Sequence, residues 1–186
     1  MTVVPERVLQ SLVEAAVVGT GGTDGWLLTR HGDALEVVGA SGPHAADVVG
    51  AMVAADEGTA GFVLESGQPM AISPRADDPR AATGVVAIIG QRPTSVLCIP
   101  CESEDGVAGV LEIIDKAGGS MFSFDDVELA TLLAGVAGVA LETRATSQLA
   151  VVAPEELAGE LRRLAGTDPS RYAIVASLVA ALITSG

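Results

Sequence analysis

The sequence predicts an α+β protein in which helices cover an antiparallel β-sheet. Two pairs of β-rich segments are each joined by a short polar connection, and segments with helical spacing precede and follow them. Apolar residues make up 49% of the chain and charged residues 18%, which favours a packed core over disorder. Because strands joined by hairpins run antiparallel, we expect the helices to pack on the faces of that sheet.

The first predicted elements are a helix and a hairpin. Residues 5–18 place apolar side chains along one broad stripe at helical spacing, and Pro5 suits the first helical turn, where its missing N–H matters least. Residues 26–30 and 34–38 are β-rich and flank a Gly-containing connection with His31 at its tip. We interpret His31 as a solvent-exposed turn residue.

The middle of the chain alternates short elements. We predict a helix over residues 45–55, a second helical segment over residues 62–66 that ends at Gly67, and a strand over residues 70–72. A polar loop with two prolines follows over residues 73–80.

A second hairpin and a long helix come next. Residues 95–100 and 107–114 are β-rich, and a short acidic connection joins them. Ser123 is suited to cap a helix over about residues 124–147, since the aspartates in its first turn complement the helix dipole.

The chain is predicted to contain one domain and a helical extension. We assign residues 1–150 to the domain with its flanking helices, and residues 151–186 to the extension. Residues 172–183 are apolar on all sides apart from Ser177, and a helix of this kind must be buried. Such a helix could pack back on the domain, join a homodimer or dock on a partner protein. We expect an interaction role through Tyr172, Ile174, Val175, Leu178, Val179 and Leu182.

The charge of the chain argues against several classes of partner. It has 24 acidic and 10 basic residues, a net charge of −14, and would be repelled by nucleic acid and by anionic membranes. The N-terminus lacks the features of a signal peptide, and the apolar run near the C-terminus is shorter than the roughly 20 residues that span a bilayer. We therefore expect a cytoplasmic protein that binds neither nucleic acid nor membrane, with both cysteines as thiols.

Several segments occur in an order and spacing typical of one family. They are GTAG (58–61), ESGQPMAI (65–72), DDPR (77–80), SVLCIP (95–100), GVAGVLEIIDK (106–116) and the helix start FDD (124–126). Together they resemble a GAF domain over about residues 8–142. The later part of the chain lies outside the resemblance.

The resemblance implies a fold and a broad function. The fold is a six-stranded antiparallel sheet between a bundle of the terminal helices and a layer of short helices and loops that encloses a small-molecule pocket. Family members bind cyclic nucleotides, tetrapyrroles, haem, amino or keto acids, or no known ligand, and they often dimerise through their terminal helices. We expect a non-enzymatic sensory or regulatory protein that binds a small ligand or a partner. The alternative is a ligand-free adaptor, and any cofactor is unknown.

The resemblance also suggests a structural ion pair. Relatives that bind cyclic nucleotides carry an Asn-Lys, Phe and Asp-Glu pattern. Here Lys116, Phe122 and Asp126 match it, whereas Asp115 replaces the Asn and Val127 replaces the Glu. We interpret Lys116 and Asp126 as a pair that holds strand and helix together rather than as ligand contacts.

The polar loop supplies the candidate ligand contacts. Arg75, Asp78 and Arg80 lie within it, and two arginines in an acidic chain could clamp a carboxylate or phosphate. We therefore predict an anionic small-molecule ligand. The alternative is that Arg80 and Asp78 tie the loop to itself.

The two cysteines, Cys98 and Cys101, are interpreted as separate side chains rather than a redox pair. On a strand they would lie about 10 Å apart and on opposite faces, beyond the Cα separation of about 7 Å that a disulfide allows. Cys98 is the candidate for ligand contact, since it could face either the helix bundle or the pocket.

The sequence gives little support for catalysis. It contains no G-x-S-x-G, P-loop or H-E-x-x-H motif, and its two histidines lack metal-ligand spacing. We therefore expect no enzyme activity, no catalytic residues and no metal, although a Ser-His-Asp arrangement assembled in space stays open.

Overall fold

The computed structural model describes residues 6–75, 78, 83–119, 121–149 and 154–184. The contacts of the chain divide it into two compact units, Met1–Ala145 and Thr146–Gly186.

The first unit is built on one six-stranded sheet. Its strands are β1 Asp24–His31, β2 Ala34–Ser41, β3 Met52–Ala54, β4 Met70–Ile72, β5 Val96–Ser103 and β6 Gly106–Ile114. They are ordered β3-β2-β1-β6-β5-β4, and every neighbouring pair is antiparallel. The predicted α+β class and the six-stranded antiparallel sheet are confirmed.

The described part of the chain contains seven α-helices and a 3-10 turn at Ala117–Gly119. The α-helices are α1 Glu6–Thr20, α2 Ala45–Val48, α3 Gly58–Ser66, α4 Val85–Ile88, α5 Phe124–Leu149, α6 Pro154–Thr167 and α7 Pro169–Thr184. α3 ends at Gly67, whose φ of 65° is the left-handed conformation that glycine adopts without strain, as the sequence predicted.

The sheet separates two apolar cores. The helix-side core joins the sheet to α1 and α5, through residues such as Leu9, Leu97, Ile113 and Ala134. The cover-side core joins the opposite face to α2, α3 and α4, and its members include Trp26, Val48, Val63, Val85 and Cys98. Since successive residues of a strand point to opposite faces, β5 and β6 contribute to both cores and are buried on both sides.

The prediction of a helix over residues 45–55 is wrong for the second half of that range. α2 ends at Val48, and the edge strand β3 follows and pairs with β2. Val37 of β2 receives a hydrogen bond from Gly50 N–H at 2.8 Å and donates one to Ala51 O at 3.0 Å. Gly50 has a φ of 82°, so the chain turns there into the strand.

The first hairpin is tighter than the sequence predicted. β1 continues through His31, which is exposed and pairs with Ala34, so the turn consists of Gly32 and Asp33 alone. Gly32 has a φ of 62°, as two-residue hairpin turns require.

The long helix α5 lies very close to the sheet at one glycine. A Cβ atom added to Gly138 would overlap the carbonyl group of Glu102 on β5, whereas a Cβ added to Gly135 would meet nothing within 4 Å. Small residues therefore allow α5 to approach the sheet.

The second unit contains α6 and α7, which contact each other. The carboxylate of Asp168 accepts a hydrogen bond from Arg171 N–H at 3.0 Å and caps α7. Tyr172 is exposed and Val175 is half-buried, whereas the side chains of Ile174, Leu178, Val179 and Leu182 lie outside the described residues. Within the described ranges, no helix combines the length and apolarity needed to cross a membrane.

Candidate functional site

A row of four side chains crosses the sheet on its cover side. The strand registers pair Trp26 of β1 with Glu112 of β6, Glu112 with Cys98 of β5, and Cys98 with Met70 of β4. Directly paired residues of neighbouring strands share a face of the sheet. A carboxyl group therefore lies at the centre of an otherwise apolar face.

Glu112 is buried, with 4% of its surface exposed, and is held by two neighbours. Trp26 Nε1 donates a hydrogen bond to Glu112 Oε2 at 2.6 Å. Thr59 Oγ1, in the first turn of α3, donates to the other carboxyl oxygen. The carboxyl group thus links β1, β6 and the covering helix α3.

The environment of Glu112 opposes its ionisation. Burial raises the pKa of Glu112, and the hydrogen bonds from Thr59 and Trp26 offset only part of this effect. Among the described residues, no Lys, Arg or His side chain contacts the carboxyl group. A buried carboxylate without a positive partner is costly, because it has lost its hydration.

The two cysteines lie on opposite sides of the sheet. Cys98 is in the cover-side core beside Glu112, and Cys101 is in the helix-side core. Both are buried free thiols. Burial raises the pKa of Cys98, with smaller contributions from the charges of Glu112 and Cys101, and burial raises the pKa of Cys101 to about 12. Cys98 thus faces the cover side, where the family resemblance puts the pocket.

The described residues include only part of the predicted arginine clamp. Arg75 is exposed, Asp78 is half-buried, and Asp78 N–H donates to Arg75 O at 3.0 Å. Arg80 lies outside the described residues, so the clamp stays a prediction.

Lys116 and Asp126 form a direct ion pair. Lys116 Nζ also donates to Thr20 O at 3.1 Å, and Ser123 donates to Asp126 Oδ2 from its N–H at 2.6 Å and from its hydroxyl at 2.8 Å. Burial alone would raise the pKa of Asp126, but the hydrogen bonds from Lys116 and Ser123 and the charge of Lys116 hold it below its usual value. The pair joins the ends of α1, β6 and α5.

Two buried carboxyl groups were not predicted from the sequence. Glu112 lies within the segment GVAGVLEIIDK (106–116), where a single charge in a strand that is apolar on both faces is a signal for burial. Asp24, 3% exposed, accepts a hydrogen bond from His44 N–H at 2.9 Å and contacts His44 Nδ1 at 3.0 Å, which fixes the loop after β2. Within the described part of the chain, no three His, Cys, Asp or Glu side chains lie close enough to hold a metal ion.

The helix α5, on the helix side of the sheet, carries an exposed apolar stripe. Leu132, Val136 and Val139 of α5 are 68%, 54% and 63% exposed and recur at helical spacing along one face. Val18 of α1 is 75% exposed.

A groove of about 620 Å³ lies between α1 and β2 on the helix side. Its lining includes Arg7, Glu14, Glu36 and Arg144, and Arg144 forms an ion pair with Glu36 at 3.5 Å. Acidic and basic side chains both line this groove, and none of the four side chains of the row on the cover side is among them. We therefore do not assign it a ligand.

Comparison with known proteins identifies the family. The family model described as GAF domain matches residues 4–142. The chain is similar to dual 3',5'-cyclic-AMP and -GMP phosphodiesterase 11 of Drosophila melanogaster, 33% identical over 90 residues, or 48% of this chain and 6% of that protein. It therefore spans only a small part of that relative.

Solved structures agree on the fold. The GAF-B domain of DevS from Mycobacterium smegmatis is 21% identical with a TM-score of 0.60, over 77% of this chain and 97% of that one. The GAF domain of a phosphoenolpyruvate-protein phosphotransferase from Coxiella burnetii is 18% identical with a TM-score of 0.65, over 77% and 86% of the two chains. With the family model matching most of its length, this chain belongs to the GAF domain family.

Proposed function

We propose that this protein is a regulatory module without catalytic activity, which binds a small molecule on the cover side of its sheet and signals through its helices. The observation that supports this most directly is the double burial of β5 and β6. In both strands, residues of the cover-side row alternate with residues of the helix-side core, such as Cys98 with Leu97 and Glu112 with Ile113. A displacement of β5 or β6 on the cover side therefore changes the packing of the helix-side core, because tightly packed cores transmit strain.

The proposed mechanism is a population shift. A ligand that binds one arrangement of the covering elements better than another increases the population of that arrangement, and the helices on the other face respond. For the ligand contacts, Arg75, Asp78, Arg80 and Cys98 remain the sequence-based candidates, together with an anionic ligand.

The output surface is proposed to be the apolar stripe of α5. Leu132, Val136 and Val139 would be removed from water in a homodimer, and the helices α6 and α7 would add to this dimer or bind a partner protein. We also propose a reducing, cytoplasmic compartment, which the two free thiols suit.

Sedimentation velocity of three proteins tests the proposed dimer. The parent chain should sediment as a dimer, and Leu132→Glu should sediment as a monomer because it places a charge in the interface. Ile88→Glu is the matched control, since Ile88 is an exposed apolar residue of α4, 47% exposed, on the cover side. A monomeric parent chain, or a dimeric Leu132→Glu variant, would contradict the proposal.

A second candidate function, a ligand-free adaptor, is favoured by the filled cover side. Trp26, Val63 and Cys98 are fully packed there, and all three are buried. Native mass spectrometry of the protein purified from its source separates the two candidates. A bound small molecule supports the regulatory module, whereas a partner protein without a small molecule supports the adaptor.

A further inference from the structure

We propose that Glu112 is the anchor of the ligand site, and that the ligand carries a protonated nitrogen group such as an amine or an amidine. This inference rests on the small-molecule binding proposed above and specifies its chemistry. It departs from the anionic ligand that the loop arginines suggest.

The first argument is the missing positive partner of the carboxyl group. The elements around it are β5, β6 and α3, and these contain no Lys, Arg or His at all. On β1, the basic residues Arg30 and His31 lie at the far, exposed end of the strand. Within the described structure, the charge of Glu112 can therefore be balanced only by a proton or by a cation that enters from outside.

The second argument is the remaining hydrogen-bonding capacity of the carboxyl group. A carboxylate has about four acceptor positions, and Glu112 uses two of them for Trp26 and Thr59. An amidine or amine can donate to the others, and such charge-assisted bonds are the strong ones. An anion in the same place would meet repulsion from the carboxylate, and the two side chains that donate there in the described structure, Trp26 and Thr59, already donate to Glu112.

The third argument concerns the covering helix. Thr59 is the contact between α3 and the carboxyl group, and α3 is bounded by Gly58 and Gly67, with φ values of 70° and 65°. Glycine adopts these conformations, and others, without the strain that a side chain would cause. A ligand that competes with Thr59 for Glu112 would therefore displace α3, which links binding to a change in conformation.

The experiment uses matched pairs of small probes that differ in charge. Acetamidinium chloride is compared with sodium acetate, and propylamine hydrochloride with sodium propionate. Trp26 is the single tryptophan of the chain and donates to Glu112, so its fluorescence reports on the site, together with the melting temperature. The proteins are the parent chain, Glu112→Gln and Glu57→Gln, the last removing an exposed carboxyl group just before α3.

We expect both cations, and neither anion, to give a saturable change in the parent chain and in Glu57→Gln. In Glu112→Gln the apparent affinity should fall about 10- to 100-fold, the loss expected for a hydrogen bond to a charged group. Should Glu112→Gln fail to fold, Glu112→Asp takes its place, because it keeps the charge but withdraws it by one methylene and should also weaken binding.

Two results would overturn the inference: cations that act equally on Glu112→Gln, or a parent chain that does not respond to cations. If the parent chain responds to acetate or propionate instead, the ligand is anionic and the proposed regulatory function stands. If native mass spectrometry also finds no small molecule, the proposed function falls as well.

Discussion

Replacing Glu112 by Gln should stabilise the protein at neutral pH and flatten part of the pH dependence of its unfolding. The amide has the shape of the carboxyl group and can preserve both contacts. Its oxygen can accept from Trp26 Nε1, and its NH₂ group can donate to Thr59 Oγ1. What the substitution removes is the ability to ionise in a buried position.

The sign and size of the effect follow from proton binding. Burial raises the pKa of Glu112 in the folded protein, whereas in the unfolded chain a glutamate titrates near 4.3. Between these two values the folded state binds the extra proton, so the contribution of Glu112 to stability is fully present below the unfolded pKa and is lost as pH rises through the folded one. The loss is at most about 1.4 kcal/mol per pH unit, and each kcal/mol corresponds to about 2–4 °C in melting temperature for a chain of this size.

Urea unfolding between pH 4 and pH 8, followed by Trp26 fluorescence, measures this directly. The difference in free energy of unfolding between Glu112→Gln and the parent chain should grow with pH and then level off. Glu104→Gln is the control, since Glu104 is exposed in the turn between β5 and β6 and its loss changes the net charge equally. A difference that stays constant across the whole range would refute the reasoning, because Glu112 would then titrate alike in the folded and unfolded states.

Two further predictions concern packing and the thiols. Gly138→Ala should destabilise the protein by about 1–3 kcal/mol or more in urea unfolding, because the new Cβ overlaps the backbone of Glu102. Gly135→Ala in the same helix should be neutral or stabilise the protein by up to about 1 kcal/mol. Equal effects of the two substitutions would show that α5 does not approach β5 so closely. Cys98 and Cys101 should resist iodoacetamide in the folded protein and react after unfolding, because burial keeps both as thiols; mass spectrometry reads the result, and rapid alkylation of either native thiol would contradict it.

The sequence predicted those elements that have local signals. The left-handed Gly67 ends α3, and the two hairpins lie where β-rich segments flank short polar turns. The strand β3 could not be found in this way. It has only three residues, too few to show alternation, and its pairing with the preceding strand β2 depends on the turn at Gly50 that follows α2.

The candidate site was predictable to a smaller degree. The contact between Lys116 and Asp126 follows a motif, and the opposite faces of Cys98 and Cys101 follow from their odd spacing on a strand. The row formed by Met70, Cys98, Glu112 and Trp26 joins four strands in an order that differs from their order along the chain. Residue spacing along the sequence cannot predict such a row, because the row arises only from the register of the assembled sheet.

Glu112 shows how a stability cost and a ligand response can have the same origin. On β6, Val110 and Ile114 share the cover side with Glu112, and an aliphatic residue at 112 would complete an apolar face. The carboxyl group instead costs stability whenever it ionises, and a bound cation would recover that cost, so the free protein is less stable than it could be and the ligand has more to contribute. Glu112→Gln tests whether the two effects share this origin, because the variant should then both gain stability and lose the response to cations. A variant that gained stability yet kept the response would show that the cations bind elsewhere and that the charge of Glu112 only costs stability.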